Sequence, residues 1–578
     1  MTMYTAPLQD MELSLNEIAE LGKITRSSRY SGDSQDSEVS QDIVSAILKA
    51  AANFTQDVLS PLNRMGDQQG VHINNGTVVT AQGFSEAYHQ YSQQGWPSLP
   101  APSRYDGQAL PNVINAAVME MVMGANLAFS LCPMLTQGAI KTIEAYGSDN
   151  IKSTFLHRMT SGEWTGAMDL TEPQAGSDLS SVTTQAIPEG SHYRISGQKI
   201  FISWGDHDMA ENIIHLVLAR LPDSPIGVKG LTLFLVPKFL ITPDGSLGEK
   251  NDISTVSVEE KLGLHASPTC VLSYGDQDGA VGYLLGEENK GLACMFTMMN
   301  HARINVGMQG LGLAERAYQQ GLAYSTERTQ GGTVIHHYPD VQRMVMLMRS
   351  GCSAMRALIY LAVGLTDHCE SEDPTSARRA DRRLQLLTPL VKSWCTDLTQ
   401  EITSLNIQIH GGMGFIEETG AAQFYRDARV LPIYEGTNAI QANDFIGRKI
   451  LADDAAELTR LFSEIATDLH QFRRLPALSI EAQQLSEALG IAKECTSILL
   501  KAHSNDKDWR SIACYFLDLH AYCIGAWLLC KKTMACANQP TSYGAEFIEE
   551  QHENSRFYCN HYLPRIYALS ASIQSILN

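Results

Sequence analysis

In Arg426-Asp427-Ala428-Arg429-Val430-Leu431-Pro432-Ile433-Tyr434-Glu435-Gly436-Thr437-Asn438-Ala439-Ile440-Gln441 the carboxylate of Glu435 sits in a run of apolar and small residues. Gly436 follows directly, and without a Cβ it lets a ligand approach the backbone closely. A carboxylate stripped of water by apolar neighbours has a raised pKa and is a stronger base. Abstraction of a weakly acidic C–H proton needs such a base. Thr437 offers a hydroxyl and an N-cap for a following helix. On these residues alone two readings stand: a base in a dry pocket, or a strand-to-helix turn with a solvated Glu.

Three more segments decide between them: Leu170-Thr171-Glu172-Pro173-Gln174-Ala175-Gly176-Ser177-Asp178, Glu327-Arg328-Thr329-Gln330-Gly331, and Gln408-Ile409-His410-Gly411-Gly412-Met413-Gly414-Phe415. Together with the Glu435 segment, and in this order, they resemble the motifs of the acyl-CoA dehydrogenases. The resemblance covers roughly residues 40–450. The two ends resemble the longer bacterial members, which carry an N-terminal extension and an extra C-terminal helical domain.

The rest of the chain agrees with that order of parts. A length of 578 residues exceeds what one compact core usually serves, so several domains are expected. Residues 1–40 read as an extension, with Ser27–Ser40 a Ser/Asp/Gly-rich linker. A helical domain follows over 41–162, with Ile43, Ile47, Ala50, Ala51 and Phe54 at helical spacing. Within it Gln94–Asp106 is a loop and Asn112–Met134 reads as one long apolar helix. Short runs bounded by Gly, Pro and Asp mark a β-domain over 163–286, for instance Ile213–Leu218 and Leu231–Val236. Helical periodicity returns over 287–451, interrupted near Gly331 and Gly411, and a further helical block fills 452–578. The fold class is therefore α+β: a helical domain, a middle β-domain, a four-helix-bundle-like domain and an additional helical domain. No GxGxxG follows a strand, which argues against a nicotinamide enzyme.

Composition excludes other classes. With 43 basic and 63 acidic residues the formal net charge is −20, which disfavours broad binding to nucleic acid or an anionic membrane. The 12 cysteines are scattered without a CxxC pair, so neither a disulfide framework nor a zinc site is indicated. A reducing, cytoplasmic setting is expected. Met1–Asp10 shows no signal peptide. Ser511–Cys530 contains Asp518 and His520 and reads as a buried helix rather than a membrane span. His336 and His337 are adjacent, and no metal site is read there.

The resemblance implies FAD as cofactor and an acyl-CoA as substrate, oxidised to the trans-2-enoyl-CoA. It implies Glu435 as the base, with its own backbone N–H polarising the thioester oxygen. Some relatives carry the base just before an arginine on an earlier helix; here that arginine is Arg303 and the residue before it is Ala302, so that site holds no carboxylate. Leu170 and Thr171 match flavin-ring contacts, and Met168 stands where relatives often have an aromatic residue. Phe201 and Ser203 match a Trp and a Thr that pack on the flavin. Arg328 and Gln330 match residues on the FAD pyrophosphate, where a guanidinium suits phosphate oxygens. Gln408, Gly411 and Gly412 match the second pyrophosphate loop. Thr437 matches a further flavin contact, and Ala439 a position that is polar in many relatives. Ser177, Asn300, Arg303 and Gly436 match the substrate side. The resemblance further implies a homodimer and an electron-transfer flavoprotein as electron acceptor, with oxygen the acceptor in the related oxidases. A DNA-binding relative needs a basic C-terminal face, and beyond Lys531-Lys532 none is present. Straight-chain acyl-CoA and 3-methylthiopropionyl-CoA both remain open as substrates.

Overall fold

The computed structural model describes residues 3–27 and 39–577, so the linker expected over Ser27–Ser40 lies almost wholly outside the described residues. The chain forms two compact units that interleave along the sequence: residues 53–110 and 125–302 make one, and residues 1–52, 111–124 and 303–578 the other.

The first unit is built on a sheet whose strands run, in spatial order, Ile253–Val258, Thr269–Tyr274, His192–Ser203, Ala280–Leu284, Leu231–Pro237, Asn212–Arg220 and Trp164–Asp169. Gln185–Glu189 pairs with both His192–Ser203 and Asn212–Arg220. Most neighbours are antiparallel, while Trp164–Asp169 lies parallel to Asn212–Arg220. Leu231–Pro237 and nearly all of Asn212–Arg220 are buried on both faces, which is why these runs read as continuous apolar stretches. Ile195, Ile213, Val217, Phe234 and Leu272 centre the core. Helix Leu127–Tyr146 covers the edge strand closely: a Cβ on Gly166 would come 2.5 Å from that of Ala139.

The expected single helix over Asn112–Met134 is two helices, Asn112–Ala125 and Leu127–Tyr146. Asn126 leaves the helical region, at φ −156° and ψ 94°, and its side-chain oxygen accepts the Phe129 N–H at 3.1 Å. Apolar composition hid this cap, because Asn favours the N-cap over the helix interior. Pro133 then falls inside the second helix.

The second unit is helical. Its frame is the C-terminal part of Gly291–Glu327 with Pro339–Cys369 and Pro374–His410. The C-terminal block adds Ala456–Phe472, Ser479–Ser504, Ala513–Asn538, Ala545–His561 and Arg565–Leu577. Leu458, Leu461, Ile465 and Leu469 are buried, as their spacing predicts. The stretch Arg510–Asn538 is long and apolar enough to cross a membrane, yet 78% of its apolar window is buried within the fold. The N-terminal residues Leu8–Leu13 pack into this same unit, and Lys532, half of the Lys531-Lys532 pair, is wholly buried against Asp10 rather than on a basic face.

Candidate active site

Glu435 lies in a turn between two helices, Ala421–Ala428 and Asn438–Asp444, not between a strand and a helix. Its backbone is left-handed, at φ 56°, and Gly436 follows at φ 84°. A non-glycine residue is strained in that conformation, which persists only where its surroundings enforce it. They do so here. The Asn438 N–H donates to Pro432 O at 3.0 Å and the Gln441 side chain donates to Glu435 O at 3.3 Å. Thr437 is the N-cap, its hydroxyl accepting the Ile440 N–H at 3.3 Å. Tyr434 OH donates to Gln309 on the Gly291–Glu327 helix. Asn438 is clamped to the Pro374–His410 helix: Lys392 Nζ donates to its Oδ1 at 2.8 Å, and its Nδ2 donates to Thr396 Oγ1 at 3.0 Å and Ser393 O at 3.2 Å.

Burial raises the Glu435 pKa to about 7, against the lowering charges of Arg303 and Lys392. Glu435 nevertheless keeps part of its surface exposed, so a small molecule can reach it. A base with a pKa near neutrality is well matched to general-base work. Ala302, at the position where some relatives carry their base, is buried.

The same unit carries the other residues predicted along its surface. The helix Gly291–Glu327 runs into a two-stranded hairpin, Thr329–Gln330 with Thr333–Val334, and Arg328 and Gln330 are exposed there. Gln408 is exposed near the end of Pro374–His410. Gly411, at φ 58°, and Gly412 follow in an exposed turn, and a Cβ on either would meet nothing within 4 Å. Tyr324 stacks on His410 at 4.1 Å, tying the helix before Arg328 to the helix before Gly411. Ala439 is exposed, and Gly436 and Arg303 are partly exposed.

The sheet unit carries the rest. Leu170 and Thr171 follow the edge strand, and Thr171 O accepts the Ile200 N–H at 2.9 Å. Lys199, buried, donates to Leu170 O at 3.0 Å and to Glu172 Oε1 at 2.9 Å. Glu172 also accepts from the backbone and hydroxyl of Thr183 and Thr184. The two segments expected on the flavin, 168–171 and 201–203, are thereby braced against each other. Phe201 has φ 59° and is 59% exposed, an aromatic ring held in the open by a strained backbone. Met168 and Ser203 are partly exposed; Ser177 and Asn300 are exposed. His301 is pushed well below the usual imidazole pKa by burial, so it stays neutral. Among the described residues no group of His, Cys, Asp or Glu is arranged to hold a metal ion.

Sequence reasoning missed two buried lysines that brace these segments. Lys392 sits in an apolar stripe, directly after Val391 and two residues before Trp394, and Lys199 lies inside a strand. A lysine in such a setting is seldom fully buried without a partner, and that rarity was the available clue.

Family models match in four consecutive blocks: "Acyl-CoA dehydrogenase, N-terminal domain" at residues 43–163, the "middle domain" at 167–276, the "C-terminal domain" at 289–451, and "Acetyl-CoA dehydrogenase C-terminal like" at 461–577. The chain is 45% identical over 497 residues to a 3-methylmercaptopropionyl-CoA dehydrogenase of Ruegeria pomeroyi, covering 84% of this chain and 83% of that protein. It is 32% identical over 578 residues to a butyryl-CoA dehydrogenase of Syntrophomonas wolfei, covering 96% and 92%. In fold it resembles the crystal structure of an acyl-CoA dehydrogenase complexed with FAD from Bacillus anthracis, with a TM-score of 0.76, 20% identity, and 93% and 89% of the two chains covered.

Proposed function

The chain belongs to the acyl-CoA dehydrogenase family, and on that premise we propose that Glu435 is the base of its FAD-dependent α,β-dehydrogenation of an acyl-CoA thioester. The observation that carries the assignment is a single carboxylate, on a strained and many-times-braced turn, whose burial raises its pKa to about 7.

The donor set suits the cofactor. Phe201 offers an exposed aromatic face, Thr171 a hydroxyl and Arg328 an exposed guanidinium, while Gly411 and Gly412 leave open backbone where a pyrophosphate would approach. Leu170, Thr171, Phe201 and Ser203 would hold the ring system, with Met168 beside them. Arg328, Gln330, Gln408, Gly411 and Gly412 would hold the pyrophosphate, and Thr437 and Ala439 would touch the flavin from the turn. FAD, when bound, supplies the acceptor for the β-hydrogen as hydride. Glu435 takes the α-proton on its carboxylate, and the electron pair left on the α-carbon forms the new C=C bond as the hydride leaves. The Glu435 N–H donates to the thioester oxygen, stabilising charge that develops as the proton departs. Ser177, Asn300, Arg303 and Gly436 would position the CoA thioester.

The test is Glu435→Gln, nearly isosteric but unable to accept the proton. Loss of a positioned base costs roughly 10²–10⁴-fold. Anaerobic mixing with acyl-CoA should give little flavin bleaching while the protein keeps its FAD; bleaching within tenfold of wild type overturns the assignment. A dye-reduction screen across acyl chain lengths, with 3-methylmercaptopropionyl-CoA included because of the 45% identical relative, identifies the preferred acyl group.

The acceptor of this reading is an electron-transfer flavoprotein, and the enzyme works in a reducing cytoplasm, a setting its free thiols suit. It acts as a homodimer in which Arg328 or Gln408 faces the partner subunit's FAD. The support is an exposed apolar cluster on and beside the Gly411 turn, with Phe415 at 86% exposure and Met413 and Ile416 near half. Soluble proteins seldom leave such a cluster uncovered without a use for it. A light-scattering mass of one chain at micromolar concentration contradicts the dimer.

A further inference from the structure

We propose that Lys392 is a positioning residue for Glu435, its ammonium holding the Glu435 turn through Asn438. The inference rests on Glu435 being the base.

The placement is unusual enough to need a cause. Lys392 lies wholly buried, flanked along its helix by the buried Val391, Ser393 and Cys395. A buried ammonium is costly unless hydrogen-bonded and near an opposite charge. Its hydrogen bond goes to the Oδ1 of Asn438, three residues past Glu435, at 2.8 Å. That amide is the hub of the turn, since its Nδ2 donates in turn to Thr396 and Ser393 and the Asn438 backbone N–H closes the loop onto Pro432. With Lys392 in place the Asn438 amide is fixed in one orientation, carbonyl toward the ammonium and NH₂ toward the helix. Glu435 is thereby kept at positive φ, the conformation that sets both its carboxylate and its N–H.

The charge has a second effect. Burial drives the Glu435 pKa up, and Arg303 and Lys392 are the two groups that draw it back toward about 7. Lys392 itself is pushed down to about 8 by burial, with Asp397 and Glu435 opposing that fall and Arg303 adding to it. The charged groups around the pair are therefore Arg303 from the Gly291–Glu327 helix, Asp397 on the same helix as Lys392, and, acting on Asp397, Asp518 from Ala513–Asn538 and Arg429 at the end of Ala421–Ala428. Asp444 and Arg448 act on Arg303 from beyond. Between about pH 7 and 8 a carboxylate on Glu435 and an ammonium on Lys392 coexist in part of the molecules.

The experiment follows anaerobic flavin bleaching against pH for wild type, Lys392→Met, Lys392→Arg and Glu435→Gln, using the acyl-CoA that reduces wild type fastest in the dye screen. In Lys392→Met the turn loses its hold, so the rate above the midpoint is expected to fall about tenfold, and the midpoint of the rise with pH to move up by about half a unit or more. KM for acyl-CoA and bound FAD should be unchanged. Lys392→Arg, which keeps the charge, should hold the midpoint near that of wild type. A Lys392→Met rate above the midpoint within twofold of wild type overturns the proposal. If Lys392→Met does not accumulate with FAD, Asn438→Ala carries the test, with bleaching about tenfold slower at full FAD content as the expected result, in the range of a misplaced base. A rate within twofold of wild type overturns it. Glu435→Gln separates the two claims: if it bleaches normally the base assignment is wrong, whereas if it alone is dead only the role of Lys392 fails.

Discussion

In the proposed role Glu435 must be basic enough to take a C–H proton yet ionised when substrate arrives, and its surroundings divide those demands. Its folded pKa, about 7, stands above the ordinary 4.5. Below pH 7 the carboxyl is mostly protonated and cannot accept, so the single-turnover bleaching rate should climb between pH 6 and 8; a flat profile over that range contradicts the shift. The same shift carries a stability cost of known sign. The fold holds this proton more tightly than the unfolded chain, so stability from this group falls as pH rises from its unfolded value through about 7. Glu172 behaves oppositely. Burial pushes its pKa up, but Lys199 and the hydrogen bonds from Thr184 and Thr183 outweigh it and hold the carboxyl at about 2. Its contribution is present above the ordinary carboxylate value and is lost as pH falls toward 2. Glu172→Gln should strand the buried Lys199 ammonium at a cost of about 3–5 kcal/mol. It should also loosen the Leu170–Thr171 segment, lowering both the unfolding midpoint and FAD retention. An unchanged urea midpoint would rule out this bracing role.

At the scale of elements, two glycines show why neighbouring segments take their places. Gly436 has φ 84°, and a Cβ there would lie 2.8 Å from Gln441 Nε2, the group that donates to Glu435 O. Gly436→Ala adds left-handed strain of about 1–2 kcal/mol and displaces Gln441. The expected result is a large fall in bleaching rate with only a small change in thermal midpoint; equal losses in both would show a merely structural role. Gly291 opens its long helix against the strand Leu231–Pro237, where a Cβ would come 2.3 Å from Leu233 N and 2.4 Å from Thr232 C. Backbone cannot move aside as a side chain can, so Gly291→Ala should destabilise the sheet unit by about 1–3 kcal/mol, read as a lower urea midpoint. Gly412 is the contrast: its Cβ would meet open space. Gly412→Ala should leave stability unchanged and, on the proposed role, weaken FAD binding.

Across the helical unit, one buried ion cluster joins segments far apart in sequence. Arg356 donates to Glu120 at 2.8 Å, Asp10 at 2.7 Å and Glu315 at 2.9 Å. Tyr360 OH donates to Glu120 at 2.8 Å, while Lys532 donates to Asp10 and, at 2.7 Å, to Ser353. Asp10 thus shares two cations, one from the middle of the chain and one from its C-terminal block. Burial raises the Glu120 pKa against the pull of Arg356, so the cluster tolerates its excess of carboxylates. Removing one partner of such a group leaves uncompensated buried charge, costing about 3–5 kcal/mol. Arg356→Met, which strips three carboxylates of their common partner, should lower the thermal midpoint by many degrees; Asp10→Asn should do so less, since its amide still accepts one hydrogen bond. A midpoint within a degree or two of wild type for Arg356→Met would show that the cluster contributes little.

Periodicity and punctuation settled the order of parts. Apolar residues at helical spacing marked Ala456–Phe472, and runs bounded by Gly, Pro and Asp marked the strands, because burying one face imposes a local repeat. Over Gln41–Phe54 the spacing marked the helix but not its buried face, which runs through Val44, Leu48 and Ala51 while Ile43 is 48% exposed. The four motifs were legible through their resemblance to those of the acyl-CoA dehydrogenases, since each is a short continuous stretch of sequence. The break at Asn126 was not legible, since a cap depends on one side chain meeting one N–H three residues on. Nor was the positive φ of Glu435, which no propensity favours and which Asn438 and Gln441 enforce. The partnership of Lys392 with Asn438 spans 46 positions, and that of Asp10 with Lys532 spans 522. Sequence alone determined the order of parts and the motifs that mark the family. Only the tertiary structure decided which buried charges meet, because burial and electrostatics act through space and leave no periodic trace along the chain.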